Sequence, residues 1–247
     1  MKTVNTDLKY KIISDDADKS NRVPVIIVAA GSSMRMRGIA KQFTEICGIP
    51  AIVHTLSAFE NSTAISNIIV VTKAEFLLHM QQLAEKYNIK KISDITVGGN
   101  TRQESVLKGL ECVRNSRYAL IHDGARPLVS QQLINRVVCE LPHYDCVACG
   151  VKVTDTIKSV KSDGTVDKTL DRNTLISVQT PQGVNVEKYL EITKNADVTA
   201  FTDDASVFES AGVSVKIVEG DYANIKITTP GDILTVQNFI EKNGGVL

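Results

Sequence analysis

A chain of 247 residues, 43% of them hydrophobic, is long enough to bury one sizeable core, which favours a single α/β domain over two independent ones. Lysine plus arginine equals aspartate plus glutamate at 28 each, so the chain has no net positive field to attract nucleic acid or an anionic membrane surface. No apolar run approaches the roughly 20 residues needed to span a bilayer, and we therefore expect a cytoplasmic protein with no membrane and no nucleic-acid partner.

The five cysteines are odd in number and lie mostly in apolar, regular segments, which predicts reduced, buried thiols and no disulfide framework. Cys146 and Cys149 have the spacing of a redox or metal pair, but their apolar surroundings are typical of a strand. Alternation along a strand would point the two sulfurs to opposite faces of the sheet. The sequence therefore favours a structural role for both.

Residues 1–22 are polar and include Asp15, Asp16 and Asp18. This composition predicts a loose extension ahead of the first strand, and we assign it no function. The folded domain is expected to cover residues 23–247.

The first predicted strand leads into a loop of small residues. Val25 to Ala30 contains no polar residue and is rich in β-branched side chains, as a strand covered on both faces is. In the loop, unobstructed backbone N–H groups could bind polyphosphate oxygens. The small residues that form the loop and its approach are Ala29, Ala30, Gly31, Ser32 and Ser33.

Cations follow this loop at Arg35, Arg37 and Lys41. They would lie where negative charge has to be neutralised during transfer of a phosphorus group. The loop is neither a Walker loop nor the dinucleotide fingerprint. An ordinary turn with solvated cations therefore remains an alternative at this point.

Strands and helices then alternate along the chain. The patterns predict a helix after Pro50, a strand over 67–72, a helix over 74–87 and a strand over 92–97. Such alternation predicts a Rossmann-like α/β fold, with a doubly wound, mostly parallel sheet.

Two glycines, Gly98 and Gly99, stand between a predicted strand and the next helix. Ligands of doubly wound sheets bind beyond the carboxyl ends of the strands, so this turn should face the same crevice as Gly31. Arg102 and Ser105 are the polar candidates for binding there. A glycine pair that only makes the turn is the alternative.

The strand Tyr118–His122 is followed directly by Asp123. A carboxylate at this end of a strand suits Mg²⁺, which prefers one or two carboxylates together with phosphate oxygens. We therefore predict Asp123 as a metal ligand, with a turn-forming aspartate as the alternative. His122 is predicted to be packed or hydrogen-bonded in the sheet, and not catalytic.

An exposed hairpin is predicted between Thr154 and Val178, after a helix over 131–141 and a strand over 145–153. The segment is polar, and Asp163-Gly164 separates two alternating stretches, which is a hairpin signal. A two-stranded arm has little core of its own. We therefore predict a homodimer in which the arm packs on the partner subunit.

The remaining elements lead to the end of the chain. Residues 179–182 are predicted to return the chain to the main body, and a helix follows near 186–193. Thr202 is predicted to cap the next helix. Strands are predicted over 213–218 and 224–228, and a last helix begins at 229–230 and runs to about 241. Within the second of these strands, Lys226 stands between two isoleucines, where an ordinary solvent-facing lysine is the alternative.

Nine motifs in sequence, from about Val23 to the last helix, resemble the 2-C-methyl-D-erythritol 4-phosphate cytidylyltransferase family. The motifs are Ala29-Ala30-Gly31 through Arg35-Met36, Lys41-Gln42-Phe43, Gly98-Gly99 with Arg102 and Ser105-Val106, His122 to Pro127, Asp155 to Lys158, Leu170-Asp171-Arg172, Gln179 to Gln182, Thr202 to Ser206 and Asn224 to Thr228.

This resemblance implies a Mg²⁺-dependent transfer of CMP from CTP to 2-C-methyl-D-erythritol 4-phosphate, in the non-mevalonate synthesis of isoprenoid precursors, with release of pyrophosphate. By similarity, the catalytic residues are Arg35 and Lys41 at the α-phosphorus, and Arg172 and Lys226 at the acceptor phosphate. The arm would reach into the partner's site, and Asp123 would bind Mg²⁺. The residues implied to contact the substrates are Ala30, Gly31, Ser32, Ser33, Gly98, Gly99, Arg102, Ser105, Asp123, Ala125, Arg126, Thr156 and Thr180.

Two departures and two alternatives accompany this resemblance. Ser33 stands where many relatives have a second glycine, and Ala223 stands where relatives are often acidic. The second metal-side carboxylate is therefore open, with Asp221 nearby. Ribitol 5-phosphate is an alternative acceptor, although the motifs at 155–158 and 170–172 look more like the methylerythritol enzyme. A nucleotide-binding module without turnover is the second alternative.

Overall fold

The computed structural model describes residues 22–31 and 41–243, and the backbone alone for Lys41. Its strands are β1 (Val23–Val28), β2 (Glu45–Ile46), β3 (Ile49–Pro50), β4 (Ile65–Thr72), β5 (Ile92–Val97), β6 (Tyr118–Asp123), β7 (Cys146–Lys152), β8 (Lys158–Val160), β9 (Val166–Thr169), β10 (Ile176–Asn185) and β11 (Val215–Glu219). Its α-helices are α1 (Ala51–Glu60), α2 (Leu77–Lys86), α3 (Arg102–Cys112), α4 (Gln131–Glu140), α5 (Val186–Thr193), α6 (Asp204–Ser210) and α7 (Pro230–Lys242).

A seven-stranded sheet in the order β11-β7-β10-β6-β1-β4-β5 forms the centre of the molecule. β1 pairs in parallel with β4 and β6, β4 with β5, and β7 with β11. β10 is antiparallel to both of its neighbours. The predicted α/β fold with a mostly parallel sheet is therefore confirmed.

Helices cover both faces of this sheet, as doubly wound topology requires. Val25 and Ile27 of β1 are completely buried and belong to one apolar cluster with residues of α1, α2 and α4. Ile26, between them, points to the other face and belongs to a second cluster with residues of α3, α5 and α6. Burial on both faces explains why β1 contains no polar side chain.

The long strand β10 is an element that the sequence did not predict. It contains Pro181 and Gly183, which weaken strand signals because proline cannot donate to the ladder and glycine has no side chain to pack. The register of β10 on β7 shifts between Gln179 and Gln182, so the proline lies where the ladder is interrupted. The chain thus re-enters the sheet through an irregular central strand.

Two other expectations near the end of the chain are wrong. Residues 224–228 form no strand, and Ile227 donates a single backbone hydrogen bond of 2.8 Å to the Ala125 carbonyl. The cap of α6 is Asp203, whose carboxylate accepts from the backbone N–H of Ser206, so Thr202 lies one residue too early. In the first case the alternation of polar and apolar residues was taken for a strand, and in the second the start of the helix was placed one residue too early.

The cysteines are free, as predicted, but Cys47, Cys112 and Cys139 are exposed, which corrects the expectation of mostly buried thiols. Cys146 and Cys149 are buried in the two different apolar clusters, on opposite faces of β7. The prediction that the two sulfurs point to opposite faces of the sheet is therefore confirmed.

The hairpin arm consists of β8 and β9, which pair antiparallel around a turn that ends at Gly164. Gly164 has a φ of +81°, a left-handed conformation that glycine adopts at little cost. Val160 and Val166 on the arm are 64% and 55% exposed. The arm therefore presents apolar side chains to its surroundings. No helix among the described residues has the length and hydropathy to cross a membrane.

Candidate active site

A cleft of about 630 Å³ lies beyond the carboxyl ends of β1, β4, β5 and β6. These parallel strands end at one edge of the sheet, which is where ligands of doubly wound proteins bind. The residues that line the cleft are Val28, Ala29, Ala30, Gly31, Gln42, Thr72, Lys73, Ala74, Val97, Gly98, Gly99, Asn100, Thr101, Arg102, Ser105, Asp123, Gly124, Ala125 and Lys226.

The turn after β5 is packed against the loop after β1. The Gly98 backbone donates to the Thr72 carbonyl at 2.8 Å, and the Gly99 backbone donates to Ser105 Oγ at 3.0 Å. A β-carbon on Gly98 would lie 2.5 Å from the Ala30 β-carbon and 2.7 Å from Ser105 Oγ. Glycine is therefore required here by close approach, and the backbone forms one wall of the cleft.

Gly98→Ala is expected to lower the free energy of unfolding by about 1–3 kcal/mol, since Ala30 and Ser105 would have to move. The same displacement would narrow the cleft and weaken nucleotide binding. Gly31→Ala is the matched control, because a β-carbon there meets no atom of residues 22–31 and 41–243 within 4 Å and should change stability by less than about 0.5 kcal/mol. Urea unfolding of both variants measures the difference, and equal destabilisation would contradict the packing argument.

Asp123, the last residue of β6, is surrounded by cationic side chains. Its Oδ2 lies 2.6 Å from Lys226 Nζ and 3.9 Å from Arg126 Nε, and its Oδ1 lies 3.1 Å from Arg102 Nε. Burial alone would raise the pKa of this carboxyl group, but the charges of Arg102, Lys226 and Arg126 outweigh it and hold the pKa below its ordinary value. Asp123 is therefore an anion at neutral pH.

The backbone behind Asp123 is held by β10. The Asp123 N–H donates to Thr180 Oγ1 at 3.1 Å, and the same hydroxyl lies 3.1 Å from His122 Nδ1. His122 is completely buried, and its Nε2 lies 3.2 Å from the Arg126 carbonyl oxygen. Thr180 thus supports the cleft from behind, and the prediction that His122 is packed and hydrogen-bonded is confirmed.

Burial lowers the pKa of His122 from 6.5 to about 3. The folded protein keeps this ring neutral while the unfolded chain takes up a proton, so stability is lost as the pH falls from 6.5 toward 3. At pH 5 this single group is expected to cost about 2 kcal/mol relative to pH 7. Urea unfolding should show that His122→Gln loses this part of the acid sensitivity, with exposed His143→Gln as the control. An unchanged difference between pH 7 and pH 5 in His122→Gln would contradict this account.

Lys226 reaches the cleft from an extended segment that lies beside the loop after β6. Arg126 Nη1 donates to the Asn224 carbonyl at 2.7 Å, and Asn224 Nδ2 donates to the Thr180 carbonyl at 2.8 Å. Together with the bond between Ile227 and Ala125, these contacts fix the segment while the Lys226 side chain stays 38% exposed. The segment is therefore anchored on both sides of Lys226, while the ammonium group is partly exposed and pairs with Asp123.

The structure brings most of the predicted binding residues together. Those that line the cleft are Ala30, Gly31, Gly98, Gly99, Arg102, Ser105, Asp123, Ala125 and Lys226. Arg126 and Thr180 lie directly behind Asp123. Thr156 and Arg172 lie at the arm and do not line the cleft of their own chain. At the arm, Arg172 Nη1 donates to the Thr154 carbonyl at 2.7 Å. Ser32, Ser33, Arg35, Arg37 and the side chain of Lys41 lie outside the described residues.

Several cleft residues were not singled out from the sequence. Buried Gln42 donates to the Ala29 carbonyl at 3.2 Å and so holds the start of the first loop. Thr72 is the last residue of β4, Lys73 follows it, and Asn100 follows the glycine pair. Their position just after a strand was the available signal, since neighbouring parallel strands deliver such residues to one edge.

The donor set of the cleft fits a metal ion only in combination with substrate. No group of three or more histidine, cysteine, aspartate or glutamate side chains in 22–31 and 41–243 is arranged to hold a metal. Asp221 is not among the cleft residues, and its carboxylate accepts from the Ala223 backbone at 2.8 Å. One carboxylate, Asp123, fits a Mg²⁺ ion that phosphate oxygens and water would otherwise coordinate.

Comparison with known proteins agrees with this geometry. The sequence model of the family described as 2-C-methyl-D-erythritol 4-phosphate cytidylyltransferase (IspD) matches residues 23–242. A protein of that name from Clostridium novyi is 44% identical over 220 residues, which are 87% of this chain and 95% of the relative. A protein of the same name from Bacillus mycoides is 42% identical over 219 residues, 87% of this chain and 96% of the relative.

A solved structure shares the fold as well. The 4-diphosphocytidyl-2C-methyl-D-erythritol synthase of Anaerococcus prevotii superimposes with a TM-score of 0.79 at 31% identity, covering 90% of this chain and 97% of its own. The similarity therefore extends over the sheet, the helices and the cleft.

Proposed function

This chain belongs to the 2-C-methyl-D-erythritol 4-phosphate cytidylyltransferase family, and we propose that the cleft at Asp123 is where its two substrates meet. The enzyme transfers CMP from CTP to 2-C-methyl-D-erythritol 4-phosphate in isoprenoid precursor synthesis. The observation that carries the assignment of the site is the group of three cationic side chains around one carboxylate, at the carboxyl edge of the sheet.

Such a site suits this reaction because the acceptor is already an anion. A phosphate monoester needs no strong base to attack, so the main tasks are to bring two anions together and to neutralise the charge that develops. The backbone wall at Gly31 and Gly98 would hold the nucleotide. Lys226 and Arg172 would hold the acceptor phosphate, with Thr156 nearby.

Arg35 and Lys41 complete this proposal at the α-phosphorus. Their side chains are outside the described residues, and their assignment rests on the motif and on its position directly after β1.

The variant Lys41→Ala removes this cation. It should reduce turnover far more than CTP affinity if the charge acts in the transition state.

We assign Mg²⁺ to Asp123 together with the triphosphate. When bound, the ion would supply additional positive charge at the phosphates. Lys226 can turn from Asp123 toward an acceptor phosphate, while Arg102 and Arg126 keep the carboxylate in place. This division of roles among the three cations is supported by their exposure, because Lys226 is the most exposed of them. Its side chain is 38% exposed, against 25% for Arg102 and 11% for Arg126.

A homodimer is the proposed assembly. The arm carries exposed apolar residues, and Arg172 does not line the cleft of its own chain. Both features suit an arm that extends over a partner subunit and delivers Arg172 to the partner's cleft. We also propose a cytoplasmic location, which the five free cysteines favour.

Pyrophosphate release measured with CTP, Mg²⁺ and one acceptor at a time tests the function. Release is expected with 2-C-methyl-D-erythritol 4-phosphate and not with ribitol 5-phosphate. The family match favours the first acceptor over the second, and over a module without turnover. Chelation by EDTA should abolish release and leave the circular dichroism spectrum unchanged. Undiminished release in EDTA would refute the metal assignment.

A further inference from the structure

The guanidinium group of Arg102 is held from three directions. Nε donates to Asp123 Oδ1 at 3.1 Å, and Nη1 donates to the side-chain oxygen of Gln103 at 2.9 Å. Nη2 donates to Asp204 Oδ2 at 2.7 Å. Asp123 lines the cleft, whereas the side chain of Asp204 is completely buried. Arg102 therefore bridges a carboxylate that can face substrate and one that cannot.

The carboxylate of Asp204 lies at the start of α6. Besides Arg102, its carboxylate accepts a hydrogen bond from the Tyr189 hydroxyl at 3.2 Å. Burial, followed by the charge of Asp204, raises the pKa of Tyr189, so the phenol stays protonated and remains a donor. A buried carboxylate is costly unless it is paired and hydrogen-bonded. Asp204 has an ion-pair partner in Arg102 and a hydrogen-bond donor in Tyr189.

Further hydrogen bonds fix the position of Asp204 without involving Arg102. Gln103 Nε2 donates to the Asp203 carbonyl at 2.9 Å, which joins the start of α3 to the start of α6. Gln182 on β10 donates to the Asp203 carboxylate at 3.0 Å and accepts from the Ala205 backbone at 2.9 Å. The start of α6 is thus tied to the sheet and to α3.

We propose that Asp204 is a positioning residue for the transfer reaction, acting through Arg102 on the carboxylate of Asp123. The inference rests on the proposed function of the cleft. Because Asp204 holds Nη2, only Nε of the guanidinium contacts Asp123, on Oδ1, and Oδ2 remains turned toward Lys226. Without this anchor, the guanidinium would close on Asp123 in a bidentate pair and compete with Lys226 for the carboxylate.

Asp204→Asn tests the anchor, because it keeps the shape of the side chain and removes its charge. We expect kcat to fall about 10- to 100-fold, the range seen when groups that orient a functional side chain are replaced. The KM for CTP should change less than about twofold, since the glycine wall is not touched. Tyr189→Phe is the matched control. It removes the other hydrogen bond of Asp204 but leaves the ion pair, so kcat should stay within about twofold of wild type.

A double-mutant cycle separates positioning from a general loss of folding. In an Arg102→Gln background the charge of Asp204 has no guanidinium to act through, so adding Asp204→Asn should produce no further fall in kcat. A further fall of the same size as in the native background would overturn the proposal. Thermal unfolding of every variant identifies a loss of folding.

The outcomes also separate this inference from the proposed function. A wild-type chain that releases no pyrophosphate refutes the function of the cleft. An active wild-type chain together with an equally active, folded Asp204→Asn variant refutes only the role of Asp204.

Discussion

Lys226→Met is expected to lower kcat/KM for the acceptor by about 10²- to 10³-fold, in the range observed when a group that stabilises transition-state charge is removed. Lys226 Nζ lies 2.6 Å from Asp123 Oδ2 and lines the cleft. Methionine keeps the length of the aliphatic stem and removes the ammonium charge. The attacking phosphate would then approach the triphosphate without the ammonium charge that lies beside Asp123. Steady-state rates of pyrophosphate release measure the effect.

The fold should tolerate this substitution, because Asp123 keeps Arg102 and Arg126 as partners. Lys216→Met is the matched control. It makes the same chemical change on the edge strand β11, away from the cleft, and should leave kcat/KM within about twofold of wild type. A folded Lys226→Met variant with near-normal kcat/KM would remove the lysine from the proposed mechanism.

Mixing two inactive variants is expected to restore about a quarter of the wild-type activity. Arg172→Gln and Lys226→Met should each be nearly inactive as homodimers if each cleft uses its own Lys226 and the partner's Arg172. After subunit exchange about half of the dimers are mixed, and each mixed dimer contains one cleft with both residues intact. One intact cleft in half of the dimers is about a quarter of all clefts.

An arm that serves its own chain predicts a different result. Every cleft in the mixture would then lack either Arg172 or Lys226, and mixing would restore no activity. Rate measurements before and after subunit exchange distinguish the two arrangements. Sedimentation of the Arg172→Gln variant is the control, since a variant that no longer forms dimers could not exchange subunits.

The cleft could be anticipated from the sequence to the extent that its residues directly follow strands. Gly98 comes immediately after β5 and Asp123 is the last residue of β6, and parallel strands carry such residues to one edge. Lys226 was anticipated from its motif, but its segment was assigned to a strand that does not exist. Its backbone is held by hydrogen bonds to distant residues, and such contacts leave no periodic pattern in the sequence.

Asp204 and the strand β10 show the same limit more strongly. Asp204 and Arg102 are 102 positions apart, and no local feature connects them. β10 has the proline and glycine of a turn, yet it is inserted between β6 and β7 because both neighbours offer a free edge for pairing. Pairing partners and ion pairs of this kind become defined only when the chain is folded.

Local pattern was sufficient to establish the α/β class, the order of most strands and helices, and the motifs of the family, because hydrophobic period and turn residues act over a few positions. Long-range folding settled the rest. It placed three cations around Asp123, tied Arg102 to a second, buried carboxylate and put Thr180 behind the cleft. Electrostatic neighbours depend on distances in space, and those distances follow from which strands pair and how the helices pack on them.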